Sequence, residues 1–315
     1  MSHITKFIGF IMILALVVFA ACGKKTVVGQ SRHNKAAIRE INEGNAWYMR
    51  GCYHKALEHF HKAYERYTIS DDQDGVARSL NNLGSLYRAT KDHDSALAFF
   101  DGAERIFTRI NQTRGLVQTL SNKAALFTDM GNLAAAESAL DQADSRAQKE
   151  NIILPTLSSN RALIRIRQKK YDEARALLNL AMAQSSESRP FEYATINHAM
   201  GLFMETAGDP DQALEFYTKA LEADRKANFS RSIAADLAAI GNVHIARGRH
   251  ELALDYLYRS FQIQTLMDDV DGAEKTTVLL KRCIEALGDK KQDTRVTEHF
   301  LKRWSESKRP VGACE

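Results

Sequence analysis

A repeat of about forty residues, held in one register six times, constrains this chain more than any single motif. Alanine recurs at Ala56, Ala96, Ala136, Ala174, Ala213 and Ala253, at spacings of 40, 40, 38, 39 and 40. Four residues beyond each stands a large apolar group: Phe60, Phe100, Leu140, Leu178, Tyr217 and Leu257. Seven beyond stands a small one: Ala63, Ala103, Ala143, Ala181, Ala220 and Ser260. Twelve before lies Gly44, Gly84, Ala124, Ala162, Gly201 or Gly241.

Small, large and small residues at i, i+4 and i+7 share one stripe of a helix. The small ones let a neighbouring helix come close, and the large one fills the space between. Five residues before the alanine, glycine recurs at Gly51, Gly131, Gly208 and Gly248, and Gly288 continues the series. That place fits a helix C′ position, where φ is often positive. Each unit is then a helical hairpin that must stack on the next to bury its face. No strand pattern interrupts this region. Only four prolines and 17 glycines in 315 residues also argue against a loop-rich β fold.

The pattern resembles the tetratricopeptide repeat. A large residue is expected early in each unit and is found at Trp47, Tyr87, Phe127, Met204 and His244, while Arg165 departs from it. The period resembles the longer-repeat branch seen in kinesin light chains and bacterial peptide-sensing regulators. The run Gly75-Val76-Ala77-Arg78-Ser79-Leu80-Asn81-Asn82-Leu83-Gly84-Ser85-Leu86-Tyr87 is like that branch's signature, and Gly115 and Gly272 recur at the place of Gly75. The resemblance covers residues 37–290 and implies an all-α, right-handed superhelix of stacked hairpins, six repeats and the start of a seventh. Beyond it, Val296, Phe300 and Trp304 mark one helical face, which predicts a capping helix within 291–309 and a tail at 310–315.

The N-terminus reads as an address. Lys6 precedes an unbroken apolar stretch, Phe7 to Ala21, too short to span a bilayer and suited to a signal peptide. Ala20 and Ala21 then meet Cys22, and polarity jumps at Gly23-Lys24-Lys25. This resembles a bacterial lipoprotein signal, with residues 1–21 removed and Cys22 acylated into the lipid membrane. Phe19 stands where such signals usually carry leucine. Gly23 after the cysteine favours the outer membrane of the cell envelope, facing the periplasm. Residues 22–36 are polar and aperiodic, and read as a flexible tether. With Cys22 lipidated, Cys52, Cys283 and Cys314 remain without metal-like spacing; a disulfide framework is not expected. Cys52 and Cys283 read as buried thiols and Cys314 as part of the tail.

Chemistry-bearing motifs are missing. Lysine and arginine number 43 against 39 acids, too balanced for a nucleic-acid binder. No phosphate loop, HExxH, GxSxG or CxxC motif occurs. No enzyme, cofactor or metal is therefore expected. His54, Glu58, His61 and Glu65 share one helical stripe, but out of phase with the packing residues, so a solvated face accounts for them.

An amide recurs instead. Asn42, Asn82, Asn122 and Asn160 hold the same place in the first four repeats, far from each unit's own packing stripe. The resemblance implies that this place faces a concave groove, where an amide can pair with the backbone of a bound peptide. By the same carry-over Asn45, Arg78, Asn81, Arg88 and Arg167 line the groove, as do Gln118, Ser121, Asp129, Ser159, His198, Glu205 and Asn242. Ala199 and Ala239 replace the amide in the fifth and sixth repeats, so the ladder is expected to stop there. The expected function is a membrane-tethered, non-catalytic scaffold that holds a protein or peptide partner, for envelope assembly or complex formation. The alternative is a structural lipoprotein that self-associates, as a homodimer, with no groove ligand.

Overall fold

The computed structural model describes residues 32–267, 269–288, 294–307 and 314. Among them are fourteen α-helices and no strand. Six hairpins follow one another: α1 (Arg32–Met49) with α2 (Tyr53–Ile69), α3 (Gln73–Ala89) with α4 (His93–Arg109), and α5 (Thr113–Asp129) with α6 (Leu133–Lys149). Then come α7 (Pro155–Arg167) with α8 (Tyr171–Gln184), α9 (Pro190–Thr206) with α10 (Pro210–Ala227), and α11 (Ser230–Ala246) with α12 (His250–Leu266). The chain ends in α13 (Val270–Leu287) and α14 (Arg295–Ser307).

The repeat stripe is the core. All six spaced alanines, and the large residues four beyond them, are at most 1% exposed. Ser260, the one polar member of the third set, donates its hydroxyl to the Ala234 carbonyl at 2.7 Å. Where the earlier small residue is glycine, the large group sits directly on it: a Cβ at Gly84 would lie 2.6 Å from Phe100 Cδ1. Gly75 is held in the same way by the Tyr67 ring.

Helix starts are set by side-chain caps that recur with the repeat. Asp72, Asp92, Asn132, Asp209 and Asp269 each accept from the amide three residues on, at 3.0–3.1 Å, meeting one donor that a helix start leaves open. Helix ends turn through left-handed residues. Gly51, Gly131, Gly208, Gly248 and Gly288 have φ between 56° and 82°, and Lys91 and Lys169 take the same place with φ of 64° and 61°.

Three features differ from the sequence reading. The array begins at Arg32, so residues 32–36 are helix and not tether: Ala37 is fully buried and draws the preceding turn into α1. The capping helix is turned from its expected face. Leu301 is buried and Trp304 meets Phe261 edge-on with ring centroids 5.7 Å apart, whereas Val296 and Phe300 are exposed. Thr297 supplies the remainder of the buried side, which an apolar count overlooks. The apolar stretch 7–21, Cys22 and the tether to residue 31 lie outside the described residues. No described helix is long and apolar enough to cross a membrane.

The third difference concerns the cysteines. Cys283 is a buried free thiol as expected, and Cys52 is buried, but Cys52 is bonded to Cys314 across a sequence separation of 262. The coil of helices returns on itself there. Arg231, at the start of α11, donates to the Tyr53 hydroxyl and, at 3.4 Å, to the Ala89 carbonyl. Lys91 pairs with Asp271. Long-range closure of this kind has no periodic signature, which is why a tail and a lone thiol were expected instead.

Candidate functional site

Consecutive first helices of the hairpins pack on one another along most of the array, from α1 on α3 to α7 on α9 and again α11 on α13. Among the described residues, consecutive second helices do not pack to a comparable degree. The first helices therefore form the inner, concave row. The asparagines anticipated for a groove lie on that row.

Within it the amides reach from repeat to repeat. Asn82 Nδ2 donates to Asn45 Oδ1 at 3.5 Å. Asn122 Nδ2 donates to Asn81 Oδ1 at 3.1 Å, and Thr119 donates to that same oxygen at 3.1 Å. Asn160 Nδ2 donates to Ser121 Oγ at 3.1 Å and to its carbonyl at 3.3 Å. Gln118 Nε2 donates to Asn122 Oδ1 at 3.2 Å. Among the described residues no donor reaches the carbonyl oxygens of Asn82 or Asn160, and both side chains are half-buried. Five of the predicted residues, Asn45, Asn81, Asn82, Asn122 and Asn160, thus take part in bonds between successive repeats, joined into a strip through the neighbouring pairs Asn81–Asn82 and Ser121–Asn122. Asn42 is exposed and stands outside it.

The arginines divide. Arg88 Nε pairs with Asp129 Oδ2 of the next repeat at 2.7 Å. Arg167 donates to the Thr128 carbonyl of the repeat before. Arg78 is exposed and paired along its own helix with Asp74 at 2.7 Å. Arg165, the departure from the repeat pattern, is accommodated by charge: it pairs with Glu137 and with Glu173, the latter at 2.6 Å.

The polar strip does not stop at the fourth repeat, as the alanines at 199 and 239 led us to expect. The neighbouring residue takes over. His198 Nδ1 meets Asp236 Oδ1 at 2.6 Å, in the same relation as Asn81 to Thr119 three repeats earlier. Asn242 Nδ2 donates to Glu205 Oε1 at 2.6 Å, and the Tyr217 hydroxyl donates to Glu205 Oε2 at 2.8 Å. Burial raises the Tyr217 hydroxyl above its ordinary range, helped by the Glu205 carboxylate. Asp236 and its buried neighbour Asp224 are also raised, mainly by burial. Neither acid was singled out from the sequence. The available signal was an aspartate set inside the apolar run Ile233-Ala234-Ala235-Asp236-Leu237.

The stripe His54, Glu58, His61 and Glu65 is exposed throughout. Glu58 pairs with Lys62 at 2.5 Å. Among the described residues no three His, Cys, Asp or Glu side chains are gathered so as to hold a metal ion. What the inner row offers is hydrogen-bond donors and acceptors on a rigid frame.

The tetratricopeptide repeat family model matches residues 40–109, 153–226 and 192–265, more than half of the chain. Among curated proteins no sequence matches. Solved structures share the fold, among them three at 14–22% identity. BtubC from P. vanneervenii is 22% identical, with a TM-score of 0.53 over 69% of this chain and 92% of that one. The Rap conjugation gene regulator of the plasmid pLS20, in complex with the Phr* peptide, is 14% identical, with a TM-score of 0.58 over 93% and 82%. A Rap protein complexed with competence and sporulation factor is 15% identical, with a TM-score of 0.54 over 84% and 78%. At these identities the likeness concerns the fold alone.

Proposed function

Because this chain belongs to the tetratricopeptide repeat family, we propose that it is a non-catalytic scaffold whose inner row holds an extended segment of a partner protein. The observation that carries this reading is the asparagine strip. Its amides are fixed in place by bonds between repeats, so they need not be ordered when a ligand arrives. Among the described residues the carbonyl oxygens of Asn82 and Asn160 have no protein donor, and an extended backbone has N–H groups to meet them. Each such contact contributes about 1 kcal/mol net, so several repeats must act together. A Rap regulator of similar fold holds the Phr* peptide, which supports a segment as ligand.

The scaffold is anchored to the bacterial envelope by a lipid on Cys22, in the outer membrane and facing the periplasm. Support comes from the signal-like stretch at 1–21 and from the Cys52–Cys314 bridge, since disulfides persist in exported proteins and are rare in reducing cytoplasm.

The test is a crosslinked capture from the protein's own membranes, read by mass spectrometry, comparing native chain with Asn82→Ala/Asn160→Ala. A partner held by the native chain and lost from the variant, with helical content unchanged, supports the groove. Equal capture by both rejects it. Release of Cys22→Ala from the membrane fraction tests the anchor separately.

A further inference from the structure

Two edges of the coil that are remote in sequence meet at one place, and a covalent bond crosses it. Cys52 stands in the turn between α1 and α2 and is 2% exposed. Its partner Cys314, close to the chain end, is half-buried. Beside the bridge, Met267 at the end of α12 lies so close over Gly51 that any side chain there would overlap it. The Arg231 guanidinium lies 5.4 Å from the centre of the Tyr53 ring and donates to its hydroxyl. Burial pushes that hydroxyl up to about 12, against the lowering effect of Arg231. Lys91 and Asp271 complete the seam, each about half exposed. All of these contacts join the first two repeats to the last helices of the array.

The seam is narrow. A surface ion pair such as Lys91–Asp271 contributes little, which leaves Met267 over Gly51 and the Arg231 contacts with Tyr53 and the Ala89 carbonyl as the non-covalent hold among the described residues. Among the described residues the bridge is the covalent element of the seam. Cys283 does not compete for it, being fully buried with its thiol pushed up to about 11 by burial, which keeps it unreactive.

We infer that Cys52–Cys314 is a reducible clasp, and that whether the two ends of the coil stay together depends on its redox state. This goes beyond the groove reading and does not rest on it. The reductant is an external dithiol, small or protein-borne. Its thiolate attacks Sγ of Cys314, the more accessible sulfur; the S–S bond breaks, and Cys52 leaves as a thiolate and takes up a proton. The second thiol of the dithiol then displaces Cys314, which is also protonated. The dithiol becomes a disulfide and loses two electrons, while the bridge gains two electrons and two protons. With the clasp open, the seam is held by its non-covalent contacts alone.

The experiment uses the detergent-solubilised full chain, with Cys314→Ser beside it and dithiothreitol as the dithiol. Alkylation in denaturant, read by peptide mass spectrometry, should modify Cys52 and Cys314 only after reduction. Amide exchange should rise at least ~10-fold in residues 50–54, 89–92 and 229–232 on reduction, and equally in Cys314→Ser, while α5 to α8 stay as they were. Alkylation of both cysteines without reductant overturns the clasp. So does exchange in those segments that is the same in both redox states. The reduced native chain carries the test should the serine variant fail to fold.

Discussion

Asp224 of α10 and Asp236 of α11 set two buried carboxyl groups beside one another, at 3% and 1% exposure. Among the described residues Asp224 Oδ1 and Asp236 Oδ2 are buried without a hydrogen-bond partner, and a proton held by the pair removes one buried charge. His198 holds the opposite oxygen of Asp236 at 2.6 Å. Both acids are raised, first by burial, and the folded chain therefore binds more protons than the unfolded one above an ordinary aspartate pKa. Their contribution to stability is complete below about pH 4 and is lost as pH rises through the raised values. Asp224→Asn keeps a donor for Asp236 and needs no proton. It is expected to stabilise the fold by about 1–3 kcal/mol at pH 8, with the gain fading toward pH 4. Urea unfolding at both pH values measures it; a loss of stability at pH 8 would mean that the pair is not strained by charge.

The contact between Gly84 and Phe100 gives a paired prediction. Gly84→Ala places a methyl 2.6 Å from the ring, and overpacking of this kind costs about 1–3 kcal/mol. The third and fourth repeats use alanine at the same place with leucine opposite, Ala124 with Leu140 and Ala162 with Leu178, all buried. Phe100→Leu added to Gly84→Ala should therefore recover most of the loss. Melting temperatures of the two single variants and the double variant decide it, and additive losses would refute the size-matching argument.

The repeats were legible because their information is local. A stripe such as Ala96, Phe100 and Ala103 is written within eight residues and needs only a neighbouring helix to bury it. Arg165 looked like a flaw because its partners, Glu137 and Glu173, come from other helices. The asparagine strip was legible as a recurrence, but not as a set of bonds between repeats, since Asn122 meets Asn81 only after stacking fixes the register. His198 and Asp236 continued the strip under different residue types, which a search for one residue at one place passes over. Least legible was the closure. Arg231 and Tyr53 are 178 residues apart, and only the accumulated turn of every hairpin between them brings them together.

Lys169 tests the turn chemistry. It holds φ of 61° where five other turns place glycine, and its side chain is exposed. A left-handed conformation costs a residue with a Cβ about 1 kcal/mol or more. Lys169→Gly is expected to raise the stability of the fourth repeat by about 1 kcal/mol, visible as slower amide exchange in α7 and α8. Faster exchange there would show that the lysine side chain contributes more than its backbone costs.

Glu137 joins the third and fourth repeats by accepting from two arginines, Arg161 at 2.8 Å and Arg165. The three side chains are between 15% and 21% exposed, well beyond the reach of ordinary surface screening. Arg161 keeps Asp141 and Asp144 as partners, at 2.9 and 2.8 Å, whereas among the described residues Arg165 keeps Glu173 and the Gln168 amide oxygen. Glu137→Ala leaves a half-buried guanidinium short of charge, an arrangement that costs about 3 kcal/mol when fully buried and less here. A loss of about 1–2 kcal/mol is expected, concentrated in α7 because each repeat is held mainly by its neighbours. Glu137→Gln should lose less, since its amide oxygen still accepts. Amide exchange resolved by helix separates the outcomes: protection falling in α7 ahead of α3 and α11 places the weakness at this interface, and a uniform fall would mean that the array melts as one cooperative unit.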